Sequence, residues 1–154
     1  MAADQPQIRP ATEADAPALF AIRTSVRENH QSIEELAAIG VTLQSVAEML
    51  RAGTARAWIA ESGSEPVAFA MARGNAVFAL FVHPAHEGRG LGKALLHRAE
   101  DWLFRQNEEI WLATGGDPAL RAHDFYRRQG WQEAGRLADG QIRYVKARPT
   151  QGSV

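Results

Sequence analysis

The sequence predicts an α/β fold in which a mixed, mostly antiparallel sheet of about seven strands is flanked by about four helices. Strand-like segments separated by turn residues occur in both halves of the chain, and segments with helical spacing lie between some of them. The apolar run AVFALFV, residues 76–82, shows no alternation and predicts a strand in the middle of the sheet, covered on both faces. The strongest helical pattern follows it, which indicates a strand-helix-strand crossover.

The first elements are a strand and a helix. The strand is predicted near Ile8, and the helix after it has apolar residues at helical spacing. Both Thr12 and Asp15 qualify as the N-cap of this helix. Asp15 is favoured because Pro17 then falls in the first turn, where no amide hydrogen is required.

A second helix and a hairpin complete the N-terminal half. The helix is predicted from Thr42, its N-cap, to Gly53, its left-handed stop. Residues 29–40, between the two helices, are interpreted as a long loop. Strands at 58–61 and 67–72 are separated by turn formers and therefore predict a hairpin.

The C-terminal half continues the alternation of helices and strands. Asp117 and Pro118 have the pattern of an N-cap followed by proline at the first helical position. Asp139-Gly140 is a hairpin signal between the last two strands. The predicted elements are a helix at 91–106, a strand at 110–113, a helix ending at Gly130, and strands around Trp131 and at 142–146.

Composition excludes several classes of protein. The 154 residues, 45% of them hydrophobic, predict one domain over 1–154, with loose ends at 1–6 and 149–154. Lys and Arg number 17 against 18 Asp and Glu, so the net charge of −1 argues against a nucleic-acid partner. No apolar stretch approaches the ~20 residues that cross a bilayer, and no signal peptide is recognised. We therefore expect a soluble, cytoplasmic protein without membrane partners.

The most informative segment is EGRGLGK, which opens the strongest helix. Gly88, Gly90 and Gly92 lack the Cβ atoms that would keep a ligand away from the backbone. The amides of the first helical turn point outward at the positive end of the helix dipole. Arg89 and Lys93 add positive charge, so the segment predicts a phosphate or pyrophosphate site.

Spacing separates this segment from two known phosphate loops. A Walker A loop is excluded because Glu87 stands at the position of its first glycine and Ala94 replaces its hydroxyl residue. A dinucleotide fingerprint is weakly supported, since the spacing is G-x-G-x-G rather than G-x-G-x-x-G. A glycine-rich turn that only lets a helix and a strand pack closely remains an alternative.

The histidines predict no metal site. His83 and His86 have a spacing that suits a metal, but no further Cys or His cluster supports one. His97 and His123 fall on predicted helices and are interpreted as surface or packing residues.

Two motifs resemble those of the GCN5-related N-acetyltransferases. Motif A of that family is a Gln or Arg, two residues, Gly, any residue, then Gly or Ala, after a strand and a V-x-P turn; positions 87–92 match it, with Glu87 at the Gln/Arg position. The sequence HDFYRRQGW, residues 123–131, resembles motif B, and Tyr126 matches the family tyrosine. The resemblance spans about 8–147 and implies the fold of that family.

The resemblance implies acetyl-CoA as co-substrate, in a cleft between splayed fourth and fifth strands. Its pantetheine arm would continue the sheet along the backbone of Phe81 and Val82. The Val82 amide would donate to the thioester oxygen, and Tyr126 would protonate the leaving thiolate as general acid. The implied cofactor-binding residues are Phe81, Val82, Glu87, Gly88, Arg89, Gly90, Leu91, Gly92, Lys93 and Tyr126.

The general base is not carried over from the family. Many members have Glu on the fifth strand and Asn beyond it, whereas Thr114 lies near the Glu position here and no Asn follows. Glu28 and His30, after the first helix, are candidates for the base or the substrate pocket, and a water chain is a third alternative. A base matters most for a lysine amine, since an α-amine is over ~10% neutral at pH 7.

We expect an N-acetyltransferase that acts on the primary amine of a small molecule. The chain has no cysteine, so the amine must attack acetyl-CoA directly rather than an enzyme thioester. Acetylation of a protein N-terminus or lysine, and an acyl-CoA sensor without catalysis, are the alternatives; a nucleotide-binding protein is more remote. Family members often dimerise through the C-terminal strands, so a homodimer is a further expectation.

Overall fold

The computed structural model describes residues 6–26 and 30–149 and contains one seven-stranded sheet in the order β1-β2-β3-β4-β5-β7-β6. Neighbouring strands are antiparallel except β4 and β5, which are parallel. The predicted fold class is therefore confirmed. The strands are β1 Gln7–Pro10, β2 Ala55–Ser62, β3 Glu65–Arg73, β4 Ala76–Val82, β5 Glu109–Thr114, β6 Gln132–Arg136 and β7 Ile142–Ala147.

Five α-helices flank the sheet over the described ranges, one more than predicted. They are α1 Ala16–Arg23, α2 Ile33–Ala38, α3 Leu43–Ala52, α4 Leu91–Leu103 and α5 Arg121–Arg128. None of them is long and apolar enough to span a membrane.

Helix α2 lies in the segment that the sequence predicts to be a loop, so that prediction is wrong. Ser32 and Glu35 form a capping box: the Ser32 Oγ accepts from the Glu35 amide at 3.1 Å, and the Ser32 amide donates to Glu35 Oε1 at 2.9 Å. Only Leu36 of its six residues is buried. The sequence therefore shows almost no apolar periodicity here, and the helix depends on its cap.

The starts of α1 and α3 agree with the capping patterns, whereas α5 begins later than predicted. Gly53 ends α3 with φ of 78°, the left-handed geometry expected there. Asp117 and Pro118 form a separate turn instead of the first turn of α5, because Asp117 Oδ1 accepts from the Ala119 amide at 2.9 Å. The regular helix starts at Arg121.

The two faces of the sheet carry two separate cores. On one face, Ala68, Ala70 and Ala72 of β3 belong to the core that contains α4 and Tyr126 of α5. On the other face, residues of β2 and β3, including Phe69, pack against α1, α2 and α3. Small side chains on β3 let α4 approach the sheet closely.

Strand β4 is fourth of the seven, as predicted, but it is not covered on both faces. Phe78 is 41% exposed, and the residues that follow it are only half-buried. Met71 pairs with Ala79 and Ala72 with Val77, so Phe78 is an extra residue, a β-bulge. Beyond the bulge β4 separates from β5. The prediction that both faces of β4 are covered is wrong because of this separation.

A buried ion pair joins α4 to β7. Glu100 is 6% exposed; its Oε1 accepts from Lys146 Nζ and its Oε2 from Trp131 Nε1, each at 2.9 Å. Lys146 also donates to the Gln129 carbonyl at 2.9 Å, at the end of α5. One carboxylate therefore fixes both helices of this face against the C-terminal strands.

Replacing Lys146 by Met is expected to lower the free energy of unfolding by about 3 kcal/mol, because it leaves the Glu100 carboxylate buried without its cation. Urea unfolding measures this effect. Arg105→Met, an exposed cation lost from the segment after α4, is the control and should change stability by less than about 0.5 kcal/mol. A K146M variant within that limit would contradict the assigned role of the pair.

A second ion cluster fixes the N-terminal edge of the sheet. Both terminal nitrogens of Arg9 donate to the Asp15 carboxylate at 2.9 Å, and Nη2 also approaches Glu61 at 3.3 Å. Asp15 accepts from the Thr12 amide at 2.8 Å as well. The hydrogen bond from Arg9 is the main reason that the pKa of Asp15 falls from 3.8 to about 2.

Asp15→Asn is expected to lower the free energy of unfolding by about 1 to 2 kcal/mol at pH 7. Because the pKa is lowered in the folded protein, this contribution is complete above the unfolded value of 3.8 and is lost as the pH falls to about 2. Unfolding at both ends of that range tests the sign, with the exposed Asp101→Asn as control. A deficit of D15N that stays constant with pH would refute the explanation.

Candidate active site

A cleft of about 1170 Å³ lies where β4 and β5 separate. Their ladder has one partner pair, Ala76 with Trp111, at the start of β4. The cleft is lined by β4, the end of β5, the glycine loop before α4, one side of α5, and Ser25 and Val26 after α1. Its walls therefore include the predicted central strand, the glycine loop and the helix that carries Tyr126.

Backbone alternation determines which amides face the cleft. The His83 amide donates to the Val67 carbonyl at 2.8 Å, so it points at β3. Backbone groups alternate in direction along an antiparallel strand, and those of Val82 and Leu80 therefore point toward the gap. The amide of Phe81 points at β3, and its ring packs on Phe69 with centroids 5.8 Å apart.

The glycine loop exposes its backbone to the cleft. Gly88 and Gly90 have φ of 81° and 79°, which side chains other than glycine rarely adopt. Gly90 is the N-cap of α4, so the amides of Leu91, Gly92 and Lys93 begin the helix without intrahelical partners. A row of amides at the positive end of a 13-residue helix favours an anion.

The carboxylate in this loop is paired with a cation that sequence analysis does not identify. Glu87 Oε2 lies 3.2 Å from Arg121 Nη2, on the first residue of α5. Arg89 donates to His86 Nδ1 at 2.8 Å and does not line the cleft, whereas Lys93 does. Arg121 was missed because the predicted helix start at Pro118 gave no reason to place its side chain at the cleft.

Tyr126 lies on the wall of the cleft that α5 forms. It is 8% exposed, and its ring packs against Trp131 and Tyr144, with centroids 6.2 and 5.9 Å away. No other group in the described ranges makes a hydrogen bond to its hydroxyl. Burial raises the pKa of Tyr126 well above its usual range, so the side chain keeps its proton at neutral pH.

His123 holds α5 in place beneath Tyr126. It is 4% exposed; its Nε2 lies 3.0 Å from the Asp117 carbonyl and its Nδ1 2.7 Å from the Tyr144 hydroxyl. Because a carbonyl can only accept, Nε2 carries the hydrogen and Nδ1 accepts from Tyr144. His123 is thus a buried packing residue, one of the two roles expected for it.

The other residues considered for the base or the substrate pocket differ in their positions. Glu28 lies outside the described residues. His30 is exposed, and its Nε2 donates to the Thr24 carbonyl at 3.2 Å rather than lining the cleft. Thr114 is buried and does line it, at the end of β5. The described ranges hold no group of three side chains that could bind a metal.

Solved structures of N-acetyltransferases have a similar fold. The PaiA N-acetyltransferase of Thermoplasma acidophilum, in complex with coenzyme A, has a TM-score of 0.79 at 15% identity, over 94% of this chain and 99% of that one. The ribosomal-protein-S18-alanine N-acetyltransferase of Escherichia coli has a TM-score of 0.73 at 20% identity, over 97% of both chains. No curated protein sequence matches the chain significantly.

The family model described as "Acetyltransferase (GNAT) family" matches residues 18–131, well over half of the sequence. The chain therefore belongs to the GNAT family. It is an N-acetyltransferase that takes its acetyl group from acetyl-CoA. The amide row and the size of the cleft fit a long ligand with phosphate groups at one end.

Glu87→Gln is expected to strengthen the binding of acetyl-CoA severalfold, because it removes a negative charge beside the amide row. Calorimetry at low salt measures the change, which should shrink at high salt. Glu133→Gln is the matched control, since Glu133 forms a similar exposed pair with Arg127 away from the cleft. Weaker binding by E87Q would show that the carboxylate is needed to orient Arg121.

Proposed function

We propose that the protein transfers acetyl from acetyl-CoA to the primary amine of a small molecule by direct attack of the amine. The observation that carries this proposal is that the outward amide of Val82 and the hydroxyl of Tyr126 line one cleft. The sequence has no cysteine, so no acetyl-cysteine thioester can form on the enzyme, and direct attack by the amine is supported.

The glycine loop is the proposed site for the diphosphate of the donor. Free amides at the start of α4 and the side chain of Lys93 supply the positive potential, and Arg121 adds to it from α5. Arg89 supports the loop through His86 rather than by lining the cleft. The proposed binding residues of this loop are Glu87, Gly88, Arg89, Gly90, Leu91, Gly92 and Lys93.

Strand β4 is the proposed guide for the pantetheine arm. The backbone groups of Leu80 and Val82 point into the gap that β5 would otherwise fill, so they can pair with an amide-containing chain. Phe81 contributes its side chain, because its amide faces β3. The Val82 amide stabilises the negative charge that develops on the thioester oxygen, and one such donor is worth about 3 kcal/mol.

Tyr126 is the proposed acid. The amine loses a proton as its nitrogen bonds to the acetyl carbon, and the breaking C–S bond leaves a thiolate that accepts a proton from Tyr126. Its raised pKa keeps the hydroxyl protonated until that charge forms. The base remains a prediction among Glu28, His30 and a water chain, and the position of His30 outside the cleft lining argues against His30 alone.

Acetylation of a protein N-terminus is a second candidate. The cleft is open, which would admit a chain end, and the Escherichia coli protein of similar fold acts on the alanine of a ribosomal protein. Thiol release with a panel of small amines and a panel of peptides separates the two functions. Release with peptides alone would replace the small-molecule assignment.

Tyr126→Phe is expected to lower kcat about 100-fold while acetyl-CoA affinity changes little, because only the proton donor is removed. Steady-state thiol release and calorimetry measure the two quantities. Thr54→Val removes an exposed hydroxyl outside the cleft lining and should keep kcat within about threefold. Full turnover by Y126F across the pH range would overturn the assignment of the acid.

A further inference from the structure

The cleft opens on both faces of the sheet. The glycine loop and Tyr126 border it on the face of α4 and α5. Ser25, Val26 and Phe81 border it on the face of α1 and α3, which we call the acceptor mouth. If the proposed function is correct and the donor enters by the glycine loop, the amine must enter by the acceptor mouth.

Three arginines stacked on aromatic rings lie on the face of the sheet on which the acceptor mouth opens, although Arg73 and Arg143 are not part of the cleft lining. Phe78 and Phe81 line the cleft, and Trp111 lies two residues before Ala113, which also lines it. A guanidinium lying over a ring is held in orientation, and those of its nitrogens that have no other partner stay available for an anion. Arg23 already donates to Gln31 at 2.8 Å, so Arg73 and Arg143 are the relevant ones. The three stacks are Arg23 over Phe81 at 4.1 Å, Arg73 over Phe78 at 5.0 Å, and Arg143 over Trp111 at 5.2 Å.

Arg143 stands on the acceptor face beside the cleft wall. Its neighbour Tyr144 and the β5 residue Leu112 belong to the core beneath α4. Because side chains alternate along a strand, Arg143 and Ala113 point to the opposite face. These two residues are register partners, so Arg143 lies one strand spacing, about 4.8 Å, from the lining.

Arg73 and Arg143 have no carboxylate partner among the described residues. Arg143 forms no ion pair or hydrogen bond there, and its buried Nε has no partner. The one hydrogen bond of the Arg73 side chain to a described residue is from Nη1 to the sulfur of Met49, at 3.4 Å. Glu87 is the one carboxylate in the described lining; it lies at the other mouth and is paired with Arg121.

We propose that the acceptor is an amine that also carries an acidic group, such as a carboxylate, and that Arg143 binds this group. Arg73 adds to the positive potential, and the apolar part of the acceptor lies against Phe78. A second ammonium, as in a polyamine, would face two arginines and be repelled. The proposal rests on the proposed function and narrows its substrate class.

A charge series of equal length tests the proposal in the intact protein. Thiol release is measured with 5-aminopentanoate, pentylamine and 1,5-diaminopentane, and with the corresponding triplets of neighbouring chain lengths. The reacting amines are similar in basicity, so the charge at the far end is the main variable. We expect kcat/KM to fall from acid to alkylamine to diamine, with the acid at least ~10-fold above the diamine through KM.

Substitution of Arg143 separates recognition from structure. Arg143→Gln should bring the acid and the diamine within about threefold of each other, whereas Arg143→Lys should keep most of the preference. Arg98→Gln, on the exposed side of α4, is the matched control and should leave the series unchanged. Equal losses for all three amines in R143Q, or a wild-type protein that prefers the diamine or the alkylamine, would overturn the proposal.

A further assay with peptides tests whether the acidic group belongs to a small molecule or to a peptide. It also separates failure of this proposal from failure of the proposed function. Two peptides that begin with alanine and carry either glutamates or lysines after it are compared with the small amines. Acetylation of the acidic peptide alone, with the preference lost in R143Q, would keep the acid site and overturn the small-molecule assignment. No thiol release with any amine, despite acetyl-CoA binding, would overturn both proposals, whereas a preference for diamines overturns only this one.

Discussion

The separation of β4 from β5 is the constraint on which the rest of the site depends. One extra residue, Phe78, shifts the register of β4 against β3, and the ladder to β5 ends near Ala76. A continuous parallel ladder would occupy the outward amide of Val82 with a carbonyl of β5. The bulge leaves that amide unpaired by a neighbouring strand, and the same displacement creates the space for a ligand chain. A local irregularity thereby supplies both the cleft and its principal backbone donor.

A sheet that opens in its middle needs its two halves to be joined elsewhere. Helix α4 packs on β2, β3 and β4, and its Glu100 reaches across to Lys146 on β7. Below the cleft, His123 ties α5 to Tyr144 on β7 and to the loop after β5. Both connections are buried and polar, so their geometry is more specific than apolar packing alone would give. They hold the walls of the cleft at a fixed separation despite the missing strand pairing.

The sequence predicted the elements that have strong local signals and missed those set by tertiary contacts. The bounds of β4 and the stop at Gly53 follow from an apolar run and a left-handed glycine. The bulge at Phe78 has no signal of its own, because a register shift depends on the partner strand. The start of α5 was misjudged since Asp117 caps a turn in place of a helix, and this error hid Arg121. Val82 and Tyr126 were located by resemblance, but the direction of the Val82 amide required the ladder.

The net charge of the protein is near zero, but the charges around the cleft are unevenly distributed. The mouth at the glycine loop carries the helix amides and Lys93, with Glu87 paired to Arg121 there, and the face on which the acceptor mouth opens carries Arg73 and Arg143. Two anionic ligands that bind at opposite mouths would repel each other weakly, because the sheet separates them. Each of these fields is compensated by the ligand that binds in it, so the proton of the entering ammonium still needs an acceptor. The one carboxylate in the described lining lies at the glycine loop and is paired with Arg121, so Glu28, His30 and a water chain remain the predictions for that acceptor.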